Sequence, residues 1–209
     1  MNLDVQFKPN KLAGFVLKTL GWTLDFQGFP GSRGVLVVYP HTSNWDFPVG
    51  LLAKWATGMQ ANFLIKDLYL KLPLLGRWFA WIGGRAVDRS SPQGYVKELS
   101  KEMLAAPYFW LVVTPEGTRK KTDGFRTGFY RLGLEAGVPL CLATIDFGRR
   151  HIGISAFYRL TGDEAQDMAH IAHVYEGTKG FHPQCMSPVV LLHPHHPDKS
   201  KHSTQNGSD

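Results

Sequence analysis

The sequence predicts an α/β fold, a single layered domain with a mostly parallel central sheet flanked by helices. Short apolar runs rich in Val, Leu, Ile and aromatic residues alternate along the chain with longer segments whose apolar residues recur at helical spacing. Such alternation is typical of strand–helix–strand units, whose strands lie parallel in one sheet. The 209 residues suit one domain, and 44% apolar with 19% charged residues is typical of a globular protein.

Apolar runs and periodicity place the elements along the chain. The N-terminal run Leu12–Leu24 is too short to span a bilayer and is interrupted by Lys18, so we predict an interfacial or core-packed helix. The strands predicted from short apolar runs are 35–39, 62–66, 83–89, 108–113, 140–147 and 151–158. The helices predicted from helical spacing are 47–56, 68–79, 92–106, 128–136 and 163–175.

Proline, glycine and composition add helix details and domain boundaries. Pro73 falls inside the second predicted helix, where we expect a bend, and Gly137 follows the fourth helix and is expected to end it. We expect an N-terminal amphipathic segment over residues 1–30, the main domain over 31–195 and a disordered polar tail over 196–209.

Charge and cysteine content narrow the classes of partner. The formal net charge of +6 and the pI near 9.3 favour an anionic partner such as nucleic acid, anionic lipid or a phosphorylated substrate. No Lys/Arg-rich run is interleaved with aromatic residues, so we expect no nucleic-acid partner. Cys141 and Cys185 lack a CxxC pattern, and His193–Pro197 lies in a proline-broken stretch, so we predict no disulfide, metal site or cofactor.

The stretch PHTSNWDFP, residues 40–48, places His41 and Asp46 five positions apart directly after a predicted strand. One interpretation is a capping box, in which Ser43 caps the following helix and Asp46 bonds back to the helix start. The other is a catalytic pair, in which the Asp46 carboxylate holds one ring nitrogen of His41 and leaves the other as a general base. The two interpretations are compatible, and the stretch alone does not choose between them.

Two further loops carry charged residues after predicted strands. TPEGTRK, residues 114–120, offers Arg119, whose planar fork of donors suits a phosphate; the alternative is an ordinary turn with solvated basic residues. RAVDRS, residues 85–90, offers Arg89, for which the alternative is a local surface ion pair. Because the carboxyl ends of parallel strands meet at one edge of a sheet, we expect both loops to lie beside His41.

These ordered motifs resemble the glycerolipid acyltransferase family, which includes the lysophosphatidic acid acyltransferases. The family carries four sequence blocks in a fixed order, and this chain has a counterpart of each. The counterparts are HTSNWD from His41, GRAVDR ending at Arg89, PEGTR over 115–119 and VPLCLATIDF from Val138. Many members have Asn before the histidine, where this chain has Pro40.

The resemblance implies a glycerolipid-acyltransferase-like domain over 31–195 and an O-acyltransferase activity. In such an enzyme His41 takes the proton from the acceptor hydroxyl, which attacks an acyl thioester, and Asp46 orients His41. The residues that the resemblance implies for acceptor binding are Arg89, Glu116, Gly117, Thr118 and Arg119. The arginines would hold a phosphate monoester, and Glu116 would accept from a substrate hydroxyl or position an arginine.

The resemblance also implies partners and a location. We expect acyl-CoA or acyl carrier protein as donor and a lysophospholipid, first of all lysophosphatidic acid, as acceptor in phospholipid biosynthesis. We expect a peripheral protein on the cytoplasmic face of the cell membrane, which contacts the membrane surface through Leu12–Leu24 and 68–84. Three alternatives stay open: another lysolipid or non-glycerol acceptor, an acyl thioesterase in which His41 activates water, and a lipid-binding protein without catalysis.

Overall fold

The computed structural model describes residues 8–66, 68, 71–87 and 92–193. The helices of this part of the chain are α1 (Lys11–Thr19), α2 (Asp46–Thr57), α3 (Pro73–Trp81), α4 (Pro92–Ala105), α5 (Gly128–Ala136) and α6 (Glu164–Tyr175). The strands are β1 (Thr23–Phe26), β2 (Arg33–Tyr39), β3 (Asn62–Lys66), β4 (Gly84–Val87), β5 (Phe109–Val113), β6 (Phe125–Arg126), β7 (Leu140–Asp146), β8 (His151–Tyr158) and β9 (Leu191–Leu192). Arg89 and the predicted tail 196–209 lie outside the described residues.

Seven strands form one central sheet in the order β1-β8-β7-β2-β5-β3-β4, and β6 pairs separately with β9. Only β7 and β8 are antiparallel neighbours in the described sheet, while its other neighbouring strands pair in parallel. The predicted fold class, a mostly parallel sheet flanked by helices, is therefore confirmed.

Helices cover both faces of the sheet and form two apolar cores. Along β2, Val35 and Val37 belong to one core while Leu36 belongs to the other, as expected when successive side chains point to opposite faces. The helices α4, α5 and α6 contribute buried residues to the first core, and α1 and α2 contribute to the second. Phe47 of α2 contacts the ring of Phe79, which places α3 beside α2 on the second face.

The N-terminal run Leu12–Leu24 forms a helix and a strand, so the single helix expected there is wrong. The helix α1 ends in a Schellman motif, in which Gly21 has a positive φ of 76° and the N–H of Trp22 bonds to the carbonyl of Leu17. The chain reverses at this glycine, and β1 then pairs in parallel with β8 at the sheet edge. The predicted segment 1–30 thus contributes a strand to the central sheet.

Pro73 begins a helix and does not bend one. It stands at the start of α3, where a proline loses no helical hydrogen bond because the first N–H groups have no partner within the helix. The ammonium group of Lys54, in α2, donates to the backbone carbonyls of Ala61 and of Ile82, the residue that directly follows α3. This contact ties the end of α3 to α2.

The strand register brings three loops to one edge of the sheet. Val37 of β2 lies opposite Val113 of β5, and Tyr39 of β2 lies opposite Thr144 of β7. These strands are parallel, so their carboxyl ends meet at the same edge. The loops that follow β2, β5 and β7 are therefore neighbours, and the first two carry the predicted site residues.

Candidate active site

His41 and Asp46 are in contact at the end of β2. The Nδ1 atom of His41 lies 3.0 Å from Oδ2 of Asp46, and the two side chains are 15% and 3% exposed. A carboxylate at this distance holds the proton on Nδ1 and leaves Nε2 of the neutral ring as a proton acceptor. The five-residue spacing therefore brings the two groups together because residues 41–45 form an irregular turn before α2 begins.

Asp46 also organises the backbone of this turn. Its Oδ2 atom accepts from the N–H groups of Thr42 and Ser43, at 2.8 and 2.9 Å. The bond from the Ser43 N–H to Asp46 is one of the two hydrogen bonds of a capping box. In the other, the Ser43 hydroxyl would accept from the N–H of Asp46, but here it accepts from the N–H of Trp45. Among the described residues, Oδ1 of Asp46 is buried without a hydrogen-bond partner. The carboxylate thus shapes the loop and orients the imidazole with one oxygen.

Glu116 lies beneath the turn and faces backbone atoms. It is 1% exposed, its Oε2 accepts from the N–H of His41 at 2.6 Å, and its Oε1 accepts from the N–H of Ser187 at 3.2 Å. Burial raises the pKa of Glu116 above its usual value, although the two N–H donors oppose this rise. Both carboxylate oxygens thus accept from the backbone inside the protein, and the expected contact with a substrate hydroxyl or an arginine stays a prediction.

Gly117 permits a tight approach at the turn that follows Glu116. It has a positive φ of 67°, and its N–H donates to the carbonyl of Thr114. A Cβ at this position would stand 2.5 Å from Nε of Arg126, so a side chain would displace that arginine. Gly117 is therefore required by its neighbours in the fold, whether or not it contacts a substrate.

Arg119 connects the turn to the His41 loop. Its Nε donates to the carbonyl of Ser43 at 3.2 Å, which leaves the two terminal nitrogens of this exposed side chain for another acceptor. Thr118 accepts from the N–H of Lys120 through its hydroxyl and so helps to shape the turn. The structure brings His41, Asp46, Glu116 and Arg119 together as predicted, whereas Arg89 falls outside the described residues.

A segment that the sequence analysis did not single out, residues 179–190, crosses this edge of the sheet, and we call it the crossing segment. It begins where the Lys179 carbonyl accepts from Phe147, and it ends where the Val190 carbonyl accepts from Phe125. Between these points, the N–H of His182 donates to the Thr42 hydroxyl at 3.1 Å. The segment therefore contacts the loop after β7, the loop after β2 and the strand β6 in turn.

Ser187 of the crossing segment forms hydrogen bonds with three other residues. Besides its N–H bond to Glu116, its carbonyl accepts from the Tyr39 hydroxyl and its own hydroxyl bonds to Thr122. Burial, followed by the charge of Glu116, raises the pKa of Tyr39 to about 12, so this phenol stays a donor. Sequence patterns gave little sign of this role, since the segment has no periodicity and is marked only by Gly180, Pro183 and Pro188.

Gly180 marks the closest approach of the crossing segment to the His41 loop. A Cβ at Gly180 would stand 2.6 Å from the Thr42 hydroxyl and 2.9 Å from its methyl group. The Thr42 side chain therefore packs against Gly180 at a distance that leaves no room for a Cβ. The crossing segment thus contacts the residue that directly follows His41.

Comparisons with known proteins agree with this architecture. A family model described as Acyltransferase matches residues 24–145, a range that contains His41, Asp46 and Glu116 and stops before the crossing segment. No curated protein matches the chain. The crystal structure of the 1-acyl-sn-glycerophosphate (LPA) acyltransferase PlsC from Thermotoga maritima is similar, with 22% identity over 78% of this chain and 73% of that chain and a TM-score of 0.50. This likeness concerns the fold.

Proposed function

Because the chain belongs to the acyltransferase family, we propose that it moves a fatty acyl group from an acyl thioester to the hydroxyl of a phosphorylated glycerolipid, with lysophosphatidic acid as first candidate. The observation that carries this proposal is the contact between His41 and Asp46 at the end of β2. It prepares a general base at a strand end, where α/β proteins bind their ligands. Because Asp46 occupies Nδ1 of His41, Nε2 stays available for the proton of the acceptor hydroxyl, whose oxygen is the attacking atom in this proposal.

The reaction uses two proton transfers at Nε2 of His41. As the acceptor oxygen attacks the thioester carbonyl carbon, Nε2 takes the proton of the acceptor hydroxyl. When the carbon–sulfur bond breaks, the departing thiolate takes that proton from the imidazolium. Asp46 keeps Nδ1–H oriented and stabilises the positive ring between these steps. The products are an ester and a free thiol, and no external reductant or oxidant is needed.

Glu116 supports this chemistry through the backbone. Its bonds to the N–H groups of His41 and Ser187 join two chain segments beneath the reacting groups. We therefore assign Glu116 a positioning role and assign Arg119, together with Arg89, to the phosphate of the acceptor. The free terminal nitrogens of Arg119 support its part in this assignment, since guanidinium groups bind phosphate in a bidentate manner.

The donor in this proposal is acyl-CoA or an acyl carrier protein. Both are anionic, which agrees with the net charge of +6. Incubation of the purified protein with each donor and a panel of lysolipids, followed by mass spectrometry, tests the proposal. Transfer to a phosphorylated lysolipid supports it. Release of free fatty acid without a transfer product would instead assign an acyl thioesterase.

We also place the protein peripherally on the cytoplasmic face of the membrane, where acyl thioesters meet lipid acceptors. No helix in the described ranges is long and apolar enough to cross a bilayer. Apolar side chains nevertheless face solvent on α1, including Leu12 and Phe15, and on α3, including Leu74 and Trp81. Trp45, in the loop between His41 and α2, is also exposed. Large exposed apolar side chains of a lipid enzyme are suited to the membrane interface.

A further inference from the structure

We propose that Arg126 is a second phosphate-binding arginine of this site and acts with Arg119 on the phosphate group of a substrate. The identity of that substrate rests on the proposed function. Arg126 lies outside PEGTR and was not singled out by any sequence motif. Its side chain is placed by contacts with the PEGTR turn.

The Arg126 side chain lies against Gly117. The position of a Cβ on Gly117 is 2.5 Å from Nε and 2.7 Å from Cδ of Arg126, so the arginine occupies the space that a side chain would fill. The backbone beneath it is fixed, because the N–H of Arg126 donates to the carbonyl of Pro115 at 2.8 Å and Arg126 pairs with Leu192. A fixed strand thus presents this guanidinium group at the PEGTR turn.

The charges of Arg119 and Arg126 are not neutralised within the described ranges of the chain. Both residues are exposed, and no carboxylate described there forms an ion pair with either of them. The carboxylate of the PEGTR turn itself, Glu116, accepts from the backbone N–H groups of His41 and Ser187. Two guanidinium groups near one turn make it positively charged, and a dianionic phosphate monoester offsets this charge while it accepts their hydrogen bonds.

The turn lies next to the groups that hold His41. Glu116 bonds to the backbone of His41, and Arg119 bonds to the carbonyl of Ser43. In lysophosphatidic acid with its acyl chain at position 1, the free hydroxyl and the phosphate are on neighbouring carbons, so a hydroxyl at His41 brings the phosphate close by. The phosphates of CoA and of acyl carrier protein are separated from the thioester by the whole pantetheine arm. The position therefore favours the acceptor phosphate.

Arg126→Ala and Arg126→Lys test this assignment, with Arg131→Ala as a control that removes the same charge from an exposed position on α5. For Arg126→Ala we expect kcat/KM for lysophosphatidic acid to fall on the order of ten- to hundredfold, while the KM for acyl-CoA stays unchanged. Arg126→Lys restores only part of the loss, because it keeps the charge and lacks the planar fork. A monoacylglycerol acceptor without phosphate is little affected.

Other outcomes of this experiment have defined meanings. A rise in the KM for acyl-CoA, with acceptor kinetics unchanged, assigns Arg126 to a donor phosphate and keeps the phosphate-binding role. Equal effects of Arg126→Ala and Arg131→Ala on both substrates overturn the proposal. The Gly117→Ala variant keeps the arginine but displaces it, so we expect an acceptor-specific loss. Gly137→Ala is the control, because Gly137 has a similar positive φ of 62° but its Cβ meets open space.

A binding measurement separates this proposal from the proposed function. Calorimetry with glycerol 3-phosphate and with CoA is performed on the wild-type protein, Arg126→Ala and Arg131→Ala. We expect glycerol 3-phosphate binding to weaken about tenfold or more in Arg126→Ala alone, even if the protein were to transfer no acyl group. The phosphate-binding role is wrong if neither compound binds the wild type. It is also wrong if each compound binds Arg126→Ala as tightly as it binds the wild type.

Discussion

Glu116 accepts a hydrogen bond of 2.6 Å from the backbone N–H of His41, a residue that precedes it by 75 positions in the chain. The other carboxylate oxygen accepts from Ser187, which lies beyond the range of the family match. One buried side chain thus connects the loop after β2, the loop after β5 and the crossing segment. This arrangement gives Glu116 a structural reason to be present that does not require contact with a substrate.

Glu116→Gln should therefore reduce kcat more than it raises the KM for the acceptor. The amide keeps the shape but replaces one acceptor oxygen with an NH₂ group, which faces a backbone N–H at His41 or Ser187. An unsatisfied buried pair of this kind costs about 1–3 kcal/mol, or roughly ten- to hundredfold if it is fully expressed in the rate. Steady-state kinetics with Glu135→Gln, an exposed control, measures the effect. A selective rise in the KM for the acceptor would contradict the positioning role and support the contact with a substrate hydroxyl that the sequence predicts.

His41→Ala should abolish most acyl transfer and leave the melting temperature close to that of the wild type. General-base catalysis contributes typically 10²–10⁴-fold, and the His41 side chain, although only 15% exposed, belongs to neither apolar core. Asp46→Asn should lose rate as well, because the imidazolium is no longer stabilised by a negative charge. It should also lower stability, because Oδ2 organises two backbone N–H groups. Near wild-type turnover of His41→Ala would contradict the mechanism.

Gly180→Ala should lower kcat through displacement of Thr42. The added methyl group would contact the Thr42 hydroxyl and methyl at distances below 3.0 Å, and overpacking of this kind costs typically ~1–3 kcal/mol. A double-mutant cycle with Thr42→Ala is the measurement, since that change removes both crowded atoms. We expect Gly180→Ala to have little further effect in the Thr42→Ala background. Additive losses in the cycle would mean that Gly180 does not act through Thr42.

Asp167 should make stability dependent on pH in acid. It is buried and accepts from the hydroxyls of Tyr130 and Tyr158 and from the Thr161 N–H. Burial alone raises the pKa of Asp167, but these donors outweigh burial and hold the pKa below its usual value. A lowered folded-state pKa stabilises the protein above the unfolded pKa of about 3.9, and this stabilisation is lost as pH falls through the folded value.

Urea unfolding at pH 7 and at several pH values below 4 tests the Asp167 prediction. Asp167→Asn should be destabilised at pH 7 by roughly 1.5–3 kcal/mol, the range for hydrogen bonds to a charged group. Its stability should also change less than that of the wild type as the pH falls through this range. The exposed variant Asp123→Asn serves as the control. Parallel acid profiles of Asp167→Asn and the wild type would assign the acid sensitivity to other carboxyls.

Local patterns predicted most of the fold and the contact between His41 and Asp46. Gly137 ends α5 as expected, and the spacing of His41 and Asp46 indicated a contact that the structure contains. The sequence did not indicate the crossing segment, because its bonds join Ser187 to Glu116, separated by 71 positions, and leave no periodic trace. The contact between Gly117 and Arg126 left no trace in the sequence for the same reason, because it depends on how β6 pairs with β9.

The exposed apolar surface of α1 and α3 predicts reversible membrane binding. Both helices pack beside α2 on one face of the sheet, and Phe15 and Trp81 are 64% and 76% exposed. Full burial of such a side chain is worth ~1.5–3 kcal/mol, so Phe15→Ser/Trp81→Ser should weaken binding to anionic liposomes by roughly tenfold or more. Lys18 lies on α1, and each basic residue near the membrane surface adds about 1 kcal/mol of binding to anionic lipid, so salt should weaken binding as well.

Liposome flotation is the measurement, with Leu134→Ser as a control, because Leu134 is an exposed apolar residue of α5 on the opposite face. Equal flotation of the double variant and the wild type, with unchanged melting temperatures, would show that these side chains do not mediate membrane contact.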